Sequence, residues 1–154
     1  MSTSTHRKKS LFKTGPIDPH FIGESIAKHA SNKQIGAHQL FLGQIRADNL
    51  EGRVVTGIDF TAYEEMADEL YNDYREVLFS KYSLTCLHVY HSLGMVQVGE
   101  INLFVFVSSI HRKDAIYACA ELVEWIKLSL PVFGKECFND NTHQWKTNTL
   151  LGHG

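Results

Sequence analysis

The sequence predicts an α+β fold: a single domain in which antiparallel and mixed sheets pack against two long helices, in an α/β-hammerhead-like arrangement. Three observations support this prediction. Several segments alternate apolar and polar residues as strands do, and two longer segments repeat apolar residues at helical spacing. The chain has 154 residues, 44% of them apolar, which is enough for one hydrophobic core but leaves little material for a second.

The first part of this domain is predicted to contain a short helix and two strands. Asp18 and Pro19 are typical of a helix start. The alternation over residues 36–46 predicts a strand, and a turn then leads to a second strand-like stretch over residues 54–63. We expect these two strands to pair as a hairpin.

The remainder of the chain is predicted to mix strands with the two long helices. Apolar residues recur every three or four positions in each helix, and Pro131 ends the second one. Two short strands near Glu136 and Gln144 flank a turn at residues 139–141. The other predicted elements are a helix over 64–82, strands over 84–91 and 99–109 separated by residues 93–95, and a helix over 111–130.

Charge and hydropathy exclude some classes of function. Fifteen Lys and Arg against seventeen Asp and Glu give a formal charge of −2, so no broad positive field attracts a nucleic acid. An anionic ligand would instead need a local cluster of cations. The most apolar run, residues 101–110, is about half the length that a membrane helix needs, so no membrane association is expected.

Cysteine usage and the amino terminus predict a cytoplasmic protein. Cys86, Cys119 and Cys137 are odd in number and widely spaced, which suits a reducing compartment. Residues 1–10 are polar and basic, so we expect a flexible tail before a domain over residues 11–150. No apolar segment of a targeting signal follows that tail.

Lys127 lies on the apolar side of the second long helix. Counted from Ile116, residues 119, 120, 123, 126 and 130 form an apolar stripe there, and Lys127 is near its middle. One interpretation is that its amine extends past this surface to water. The other is that the amine ends in a partly enclosed pocket, where desolvation lowers its pKa and makes it usable as an acid, base or nucleophile.

Arg112 lies on the same stripe at the helix start, where it either pairs with a nearby acid such as Asp114 or binds an anion. Fifteen residues of helix separate it from Lys127, a distance of about 22 Å. One small ligand cannot touch both residues of one helix. If both line one pocket, a second copy of the chain must complete it, which indicates a dimer.

Metal and cofactor chemistry is not expected. His88 and His91 are an odd number of residues apart on a predicted strand, so their side chains face opposite ways and cannot bind one ion. The sequence also has no HExxH motif and no Gly-rich phosphate loop. We therefore expect no metal and no cofactor.

A series of short motifs runs in order over residues 36–146. They are Gly36-Ala37, the run from Phe41 to Arg46, Asn49, the run from Tyr63 to Ala67, His91, Gly94, Val98-Gly99-Glu100, Ser109, His111-Arg112, Ala115, Lys127, Pro131, Lys135-Glu136 and Trp145. Each motif is weak alone, but their order and spacing together are specific. Together they resemble the catalytic (large) subunit family of molybdopterin synthase.

The resemblance implies a sulfurtransferase of molybdenum cofactor biosynthesis. In that family a homodimer binds a small ubiquitin-like carrier subunit on each protomer, giving a heterotetramer. The carrier's C-terminal Gly-Gly tail enters the active site as a thiocarboxylate. Two sulfur transfers to cyclic pyranopterin monophosphate open the cyclic phosphate and form the dithiolene of molybdopterin. The resemblance implies no metal or nucleotide for this step.

The resemblance also implies roles for individual residues. Lys127 matches the central catalytic lysine, and Arg46 matches an arginine that binds phosphate or pterin. His111 and Arg112 are implied to reach the pocket from the opposite subunit and to bind substrate there. These cations would offset the repulsion between the thiocarboxylate and the phosphate.

Two departures from the family pattern affect these roles. Gly134 stands where the family carries a second catalytic lysine, and Ser92 stands where an arginine is common. Lys135 is the candidate to replace the missing lysine, but adjacent side chains of a strand point opposite ways, so it needs a bulge or twist at Gly134. Two alternatives stay open: a non-catalytic relative that keeps the dimer and carrier binding, and a general anion-binding module.

Overall fold

The computed structural model describes residues 10–146. Nine of the ten residues of the predicted tail, and residues 147–150 of the predicted domain, lie outside that range. The described part contains helices α1 (Pro19–Lys28), α2 (Glu64–Lys81) and α3 (Arg112–Ser129), with a short 3-10 turn after α1. The strands are β1 (Phe12–Thr14), β2 (Ala37–Gln44), β3 (Asn49–Leu50), β4 (Arg53–Ala62), β5 (Leu84–Gln97), β6 (Ile101–Ser109), β7 (Val132–Phe138) and β8 (His143–Trp145).

Antiparallel pairing connects six strands in the order β2-β6-β5-β4-β7-β8, while β1 adds to β5 in parallel and β3 pairs with β4. The predicted α+β class with two long helices is therefore confirmed. The predicted hairpin between residues 36–46 and 54–63 is wrong, because β2 pairs with β6 while β4 lies between β5 and β7. The reason is burial: β6 is buried along nearly its whole length and needs a neighbour on both edges.

β5 is longer than predicted and joins two parts of the sheet. Residues 84–91 pair with β6, and residues 94–97 pair with β4. Gly94 has a φ of +84°, a conformation that glycine adopts without strain, so the chain changes direction there and pairing continues where the sequence predicted a break. This change brings β4 and β7 next to the end of α3.

Helices α2 and α3 cover one face of the β2-β6-β5 part of the sheet. The largest apolar cluster lies between them, with Leu78 of α2, Leu122 of α3 and Val105 of β6 all fully buried. On the opposite face, Ile22 of α1 packs against Phe104 and Phe106. A third, smaller cluster underlies β4 and β7.

The buried face of α3 is rotated relative to the predicted stripe. Ile116 is 44% exposed and Ala120 is also exposed, whereas Ala118 and Leu122 are fully buried. Lys127 therefore lies at the edge of the packed face instead of its middle. From that edge its side chain leaves the core and reaches the neighbouring strands.

Within the described range, no helix combines the length and the apolar character that a membrane crossing needs.

Candidate active site

A cavity of about 550 Å³ lies where the last turn of α3 meets β4 and β7. This volume falls within the range of small-molecule sites, roughly 300–1,000 Å³. Its apolar wall includes Ile58 and Phe60 of β4 and Ile126 of α3. Its charged lining consists of three cationic side chains, Arg46, Lys127 and Lys146, and two carboxylates, Asp48 and Glu136.

Lys127 enters the cavity from the last turn of α3, directly after the buried Ile126. Burial lowers the pKa of its amine, and the positive charges of Lys146 and Arg46 lower it further, while Glu124 opposes the shift. Of the two interpretations open from the sequence, the geometry thus favours the partly enclosed pocket over extension into water. An amine in this setting exchanges a proton more readily than an exposed lysine.

Arg46 follows β2 at the mouth of the cavity. Its guanidinium pairs with the carboxylate of Asp48, with Nε 3.2 Å from Oδ1 and Nη2 3.4 Å from Oδ2. The Arg46 side chain is 60% exposed, so its remaining N–H groups face solvent and any incoming anion. The ion pair thus limits the rotamers of Arg46 and orients it at the entrance.

His91 forms part of the inner wall, and sequence reasoning assigned it no role in the site. It is 4% exposed and packs against Phe60 and Phe12. Burial lowers its pKa to about 4, with a smaller effect in the same direction from the charge of Lys127. Its Nδ1 lies 2.8 Å from the carbonyl oxygen of Ser92 and therefore carries the proton, which leaves the lone pair on Nε2. At neutral pH the cavity holds a neutral imidazole here.

Alternation along β7 decides which of its residues face the cavity. Gly134 and Glu136 line it, whereas Lys135 does not. The pairing of β7 with β4 runs without interruption through Gly134, so the bulge that would turn Lys135 inward does not form. The Lys135 Nζ instead lies 5.9 Å from the ring centroid of Trp145 on the other face. The expectation that Lys135 replaces the missing lysine is not met by this geometry.

Lys146 and Glu136 are further cavity residues that sequence reasoning missed. Glu136 is 5% exposed, and a signal for it was available, since it lies two residues after Gly134 on one strand. The β7-β8 hairpin turns around residue 140 as predicted, with Glu136 opposite Gln144. Extending that register by two positions brings Lys146 opposite Gly134, which was the signal for Lys146.

His111 and Arg112 lie at the other end of α3. Both are exposed, and neither belongs to the lining of the cavity within this copy of the chain. Arg46 and Lys127 are therefore together in one cavity, and the other two predicted substrate-binding residues are not.

His88 and His91 point to opposite faces of β5, as predicted. His91 faces the cavity, while His88 packs against His29 and Phe106 on the α1 side of the sheet. On that side His29, Cys86 and His88 place one ligand atom each within 4.8 Å of one another. No local sequence pattern groups these three residues, because His29 is distant from Cys86 and His88 along the chain.

Comparisons with known proteins identify the family. The model of the MoaE protein family matches residues 15–129. The molybdopterin synthase catalytic subunit of Aspergillus clavatus is 31% identical over 148 residues, a match that covers 96% of this chain and 72% of that protein. The corresponding subunit of Rattus norvegicus is 33% identical over 131 residues, covering 82% of this chain and 62% of the rat protein.

A solved structure agrees. The crystal structure of molybdopterin synthase from Staphylococcus aureus superimposes with a TM-score of 0.78 and 27% identity, and the match covers 92% of this chain and 99% of that one. The family match spans most of the described residues, including α3 up to Ser129 and therefore Lys127. The chain belongs to the MoaE family.

Proposed function

We propose that this chain is the catalytic subunit of a cytoplasmic molybdopterin synthase. It transfers sulfur from the C-terminal thiocarboxylate of a small ubiquitin-like carrier to cyclic pyranopterin monophosphate and forms the dithiolene of molybdopterin. The observation that carries the proposal is the convergence of Arg46, Lys127 and Lys146 on one partly enclosed cavity. The family relationship suggests which reaction is catalysed, and the cavity contains the cationic side chains that this reaction needs.

The charge of the cavity suits two anionic reactants. With His91 neutral, the lining has three positive and two negative side chains. The thiocarboxylate and the phosphate repel each other, and fixed cations in a site partly shielded from water offset that repulsion more strongly than bulk solvent does. Arg46 offers its fork of N–H groups to phosphate or pterin oxygens at the entrance.

Lys127 is the residue to which we assign the proton transfer, or the stabilisation of the acyl group, as sulfur leaves the carrier. Its lowered pKa raises the fraction of neutral amine available near pH 7. Lys127 is more buried than Arg46, so a tail that enters the cavity past Arg46 would reach the amine of Lys127.

A homodimer completes the site in this proposal. Arg112 and Lys127 stand at the first turn and the last turn of α3, about 22 Å apart, so Arg112 of the same copy cannot reach the cavity. His111 and Arg112 of a second copy then add positive charge from outside and bind the substrate. Each protomer also binds one carrier.

The experiment is turnover of cyclic pyranopterin monophosphate with thiocarboxylated carrier. We expect Lys127→Ala to lower the rate by about 10²–10⁴-fold, the usual size of a proton-transfer contribution. Lys113→Ala is the matched control, since Lys113 is an exposed lysine of the same helix, and its rate should equal that of the unmodified protein. Equal rates for the two variants would refute the role of Lys127.

Gly134 favours a second candidate, a relative that binds the carrier without turnover. The same assay separates the two: an unmodified protein that binds carrier yet produces no dithiolene would be this non-catalytic relative. A protein that binds anions but no carrier would be a general anion-binding module.

A further inference from the structure

We propose that Lys146 provides the second amine of the cavity and binds the anionic group of the reactants opposite Lys127. This inference deepens the proposed function and depends on that function only for the identity of the reactants. The existence of an anion site at Lys146 is independent of the proposed function. Three features of the structure support it.

The first feature is the register of the β7-β8 hairpin. Lys135 lies opposite Trp145 and Glu136 opposite Gln144, and the backbone N–H of Lys146 donates to the carbonyl oxygen of Gly134 at 2.7 Å. Lys146 therefore lies opposite Gly134. Side chains directly opposite each other in an antiparallel pair point to the same face, and for Gly134 this is the cavity face.

The second feature is the lack of room for a side chain on Gly134 itself. A Cβ there would lie 2.8 Å from Cγ2 of Ile58 and 3.3 Å from Cε1 of Phe60. A lysine at position 134 would have to displace the side chain of Ile58, which forms part of the cavity wall. Lys146 starts one strand further out and reaches the same space from the rim, so the wall need not move.

The third feature is electrostatic. After burial, the charge of Lys146 is the largest cause of the lowered pKa of Lys127. The two amines are thus close enough to affect each other. The amine of Lys127 becomes easier to deprotonate, and the amine of Lys146 lies at the rim of the cavity, where an anion enters. Lys135, on the opposite face beside Trp145, contributes to neither role.

The test compares Lys146→Ala with Lys146→Arg in the same turnover assay, with Lys135→Ala as the matched control. We expect Lys146→Ala to reduce kcat/KM by about 10–100-fold, the effect of losing one hydrogen bond to a charged group. Lys146→Arg keeps the charge and should recover most of the loss. Lys135→Ala should match the unmodified protein. If Lys146→Ala behaves as Lys135→Ala does, the proposal is overturned.

The pH profile adds a readout that a merely structural role would not change. Removing the neighbouring cation favours the protonated form of Lys127, so the acidic limb of kcat should move to higher pH in Lys146→Ala and stay in place in Lys146→Arg. An unmoved limb in Lys146→Ala would contradict the coupling between the two amines.

Binding of inorganic phosphate, measured by calorimetry, separates this inference from the proposed function. Should the unmodified protein show no turnover, Lys146→Ala must still weaken phosphate binding by about 10-fold or more relative to Lys135→Ala. Equal phosphate affinities in the two variants would overturn the role of Lys146 whether or not the chain is a sulfurtransferase.

A different observation, on the α1 side of the sheet, carries a second inference: we infer that His29, Cys86 and His88 form a site for a zinc-like divalent cation. Cys86 and His88 are two residues apart on β5 and so share a face. His29 approaches them from the 3-10 turn after α1. Their ligand atoms lie within 4.8 Å of one another, about 1 Å more than the spacing around a tetrahedral zinc ion.

The environment of His29 supports metal binding. Its Nδ1 lies 2.7 Å from the carbonyl oxygen of Ser25, an acceptor, so Nδ1 carries the proton and Nε2 holds the lone pair. A carbonyl that fixes the tautomer in this way is a usual partner of metal-binding histidines. His38 lies on the same side, with its ring centroid 6.2 Å from that of His29, and is the nearest candidate for a fourth ligand. Two imidazoles and a thiolate suit zinc or cobalt better than magnesium or calcium.

Titration of the chelator-treated protein with Co²⁺ tests this site by absorption. We expect about one ion per chain and a thiolate-to-cobalt charge-transfer band. The band should disappear in Cys86→Ser and persist in Cys137→Ser, a matched change of another half-buried cysteine on β7. His29→Asn, a change near the surface, should weaken binding without disturbing the sheet. An absent band in the unmodified protein, or an unchanged band in both Cys86→Ser and His29→Asn, would exclude the site.

Discussion

The last turn of helix α3 and the rest of the helix bury different kinds of surface. Along most of its length, residues such as Ala118 and Leu122 pack into an apolar cluster with α2 and the sheet. In its last turn the same helix directs Lys127 into a cavity that also holds the buried His91 and Glu136. The first region stabilises the fold through apolar burial. The second holds polar groups where solvation is poor, which lowers the stability of the fold and shifts the pKa values of these groups, as is typical of functional sites.

This difference predicts that stability and activity respond to different substitutions. Changes in the apolar cluster should lower the free energy of unfolding and leave the activity of each folded molecule intact. Substitutions in the cavity should lower the activity without lowering the free energy of unfolding. The predictions below test this separation in order of decreasing effect on stability.

Leu122→Ala should have the largest effect. Leu122 is fully buried between α3 and the sheet, so its truncation removes apolar contacts and leaves a cavity, at a cost of about 3 kcal/mol. Urea denaturation measures the loss. Turnover per folded molecule should stay within about twofold of the unmodified protein, because Leu122 does not line the cavity. A large loss of turnover would show that the two regions are not separable.

His91 should make stability depend on pH. Because its folded pKa is about 4, below the ordinary 6.5, the unfolded chain takes up a proton first as the pH falls. The stability from neutral His91 is thus fully present above pH 6.5 and is lost progressively between pH 6.5 and 4. Lowering the pH from about 7.5 to about 5 should cost about 2 kcal/mol through this residue.

The variant His91→Gln isolates that contribution. Its amide N–H can still donate to the Ser92 carbonyl, but it does not titrate. The difference in unfolding free energy between the two pH values should be smaller in the variant than in the unmodified protein. The same pH dependence in both proteins would mean that His91 does not stay neutral when the chain folds.

Lys127→Met should raise stability while it removes activity. The lowered pKa of Lys127 shows that the folded state disfavours its charge, and Met fills a similar volume without one. We expect a gain of about 1 kcal/mol in unfolding free energy, as is common when an active-site residue is replaced for stability. A loss of stability would instead show that Lys127 holds the cavity together.

Lys81→Ala should have the smallest effect. Lys81 forms an ion pair with Glu121 between α2 and α3, but its side chain is 55% exposed, and pairs of this kind contribute little in water. Both the unfolding midpoint and the turnover should match the unmodified protein within error. This variant is therefore the surface reference for every other measurement, including Lys135→Ala.

Local patterns in the sequence predicted local structure well. The helical repeats predicted α2 and α3 to within a few residues, and the turn at residues 139–141 predicted the β7-β8 hairpin. The pairing of β2 was predicted wrongly, since β2 joins β6 across more than fifty residues and no local signal specifies that neighbour. The extension of β5 was missed because Gly94 permits a bend in the strand, and the residues beside Gly94 carry no sequence signal that the strand continues.

Only part of the cavity lining was predictable, because some of its residues meet only through strand pairing. Arg46 and Lys127 were found through the family resemblance and the helix pattern, and both line the cavity. Lys146 required the hairpin register, which follows from a turn but only once the strands are known to pair. His91 required knowledge of which β5 face is covered. The proposed contribution of Arg112 depends on a second copy, which a single chain does not contain.

The central claim is that each site combines Lys127 of one copy with Arg112 of another, and mixing two inactive variants tests it directly. Lys127→Ala and Arg112→Ala proteins, which we expect to be inactive alone, are unfolded together, refolded and assayed with thiocarboxylated carrier. If the sites are shared, each mixed dimer regains one intact site, and the mixture should recover about a quarter of the unmodified activity. Activity that stays at the level of the separate variants would contradict the claim, because sites built within single chains cannot complement each other.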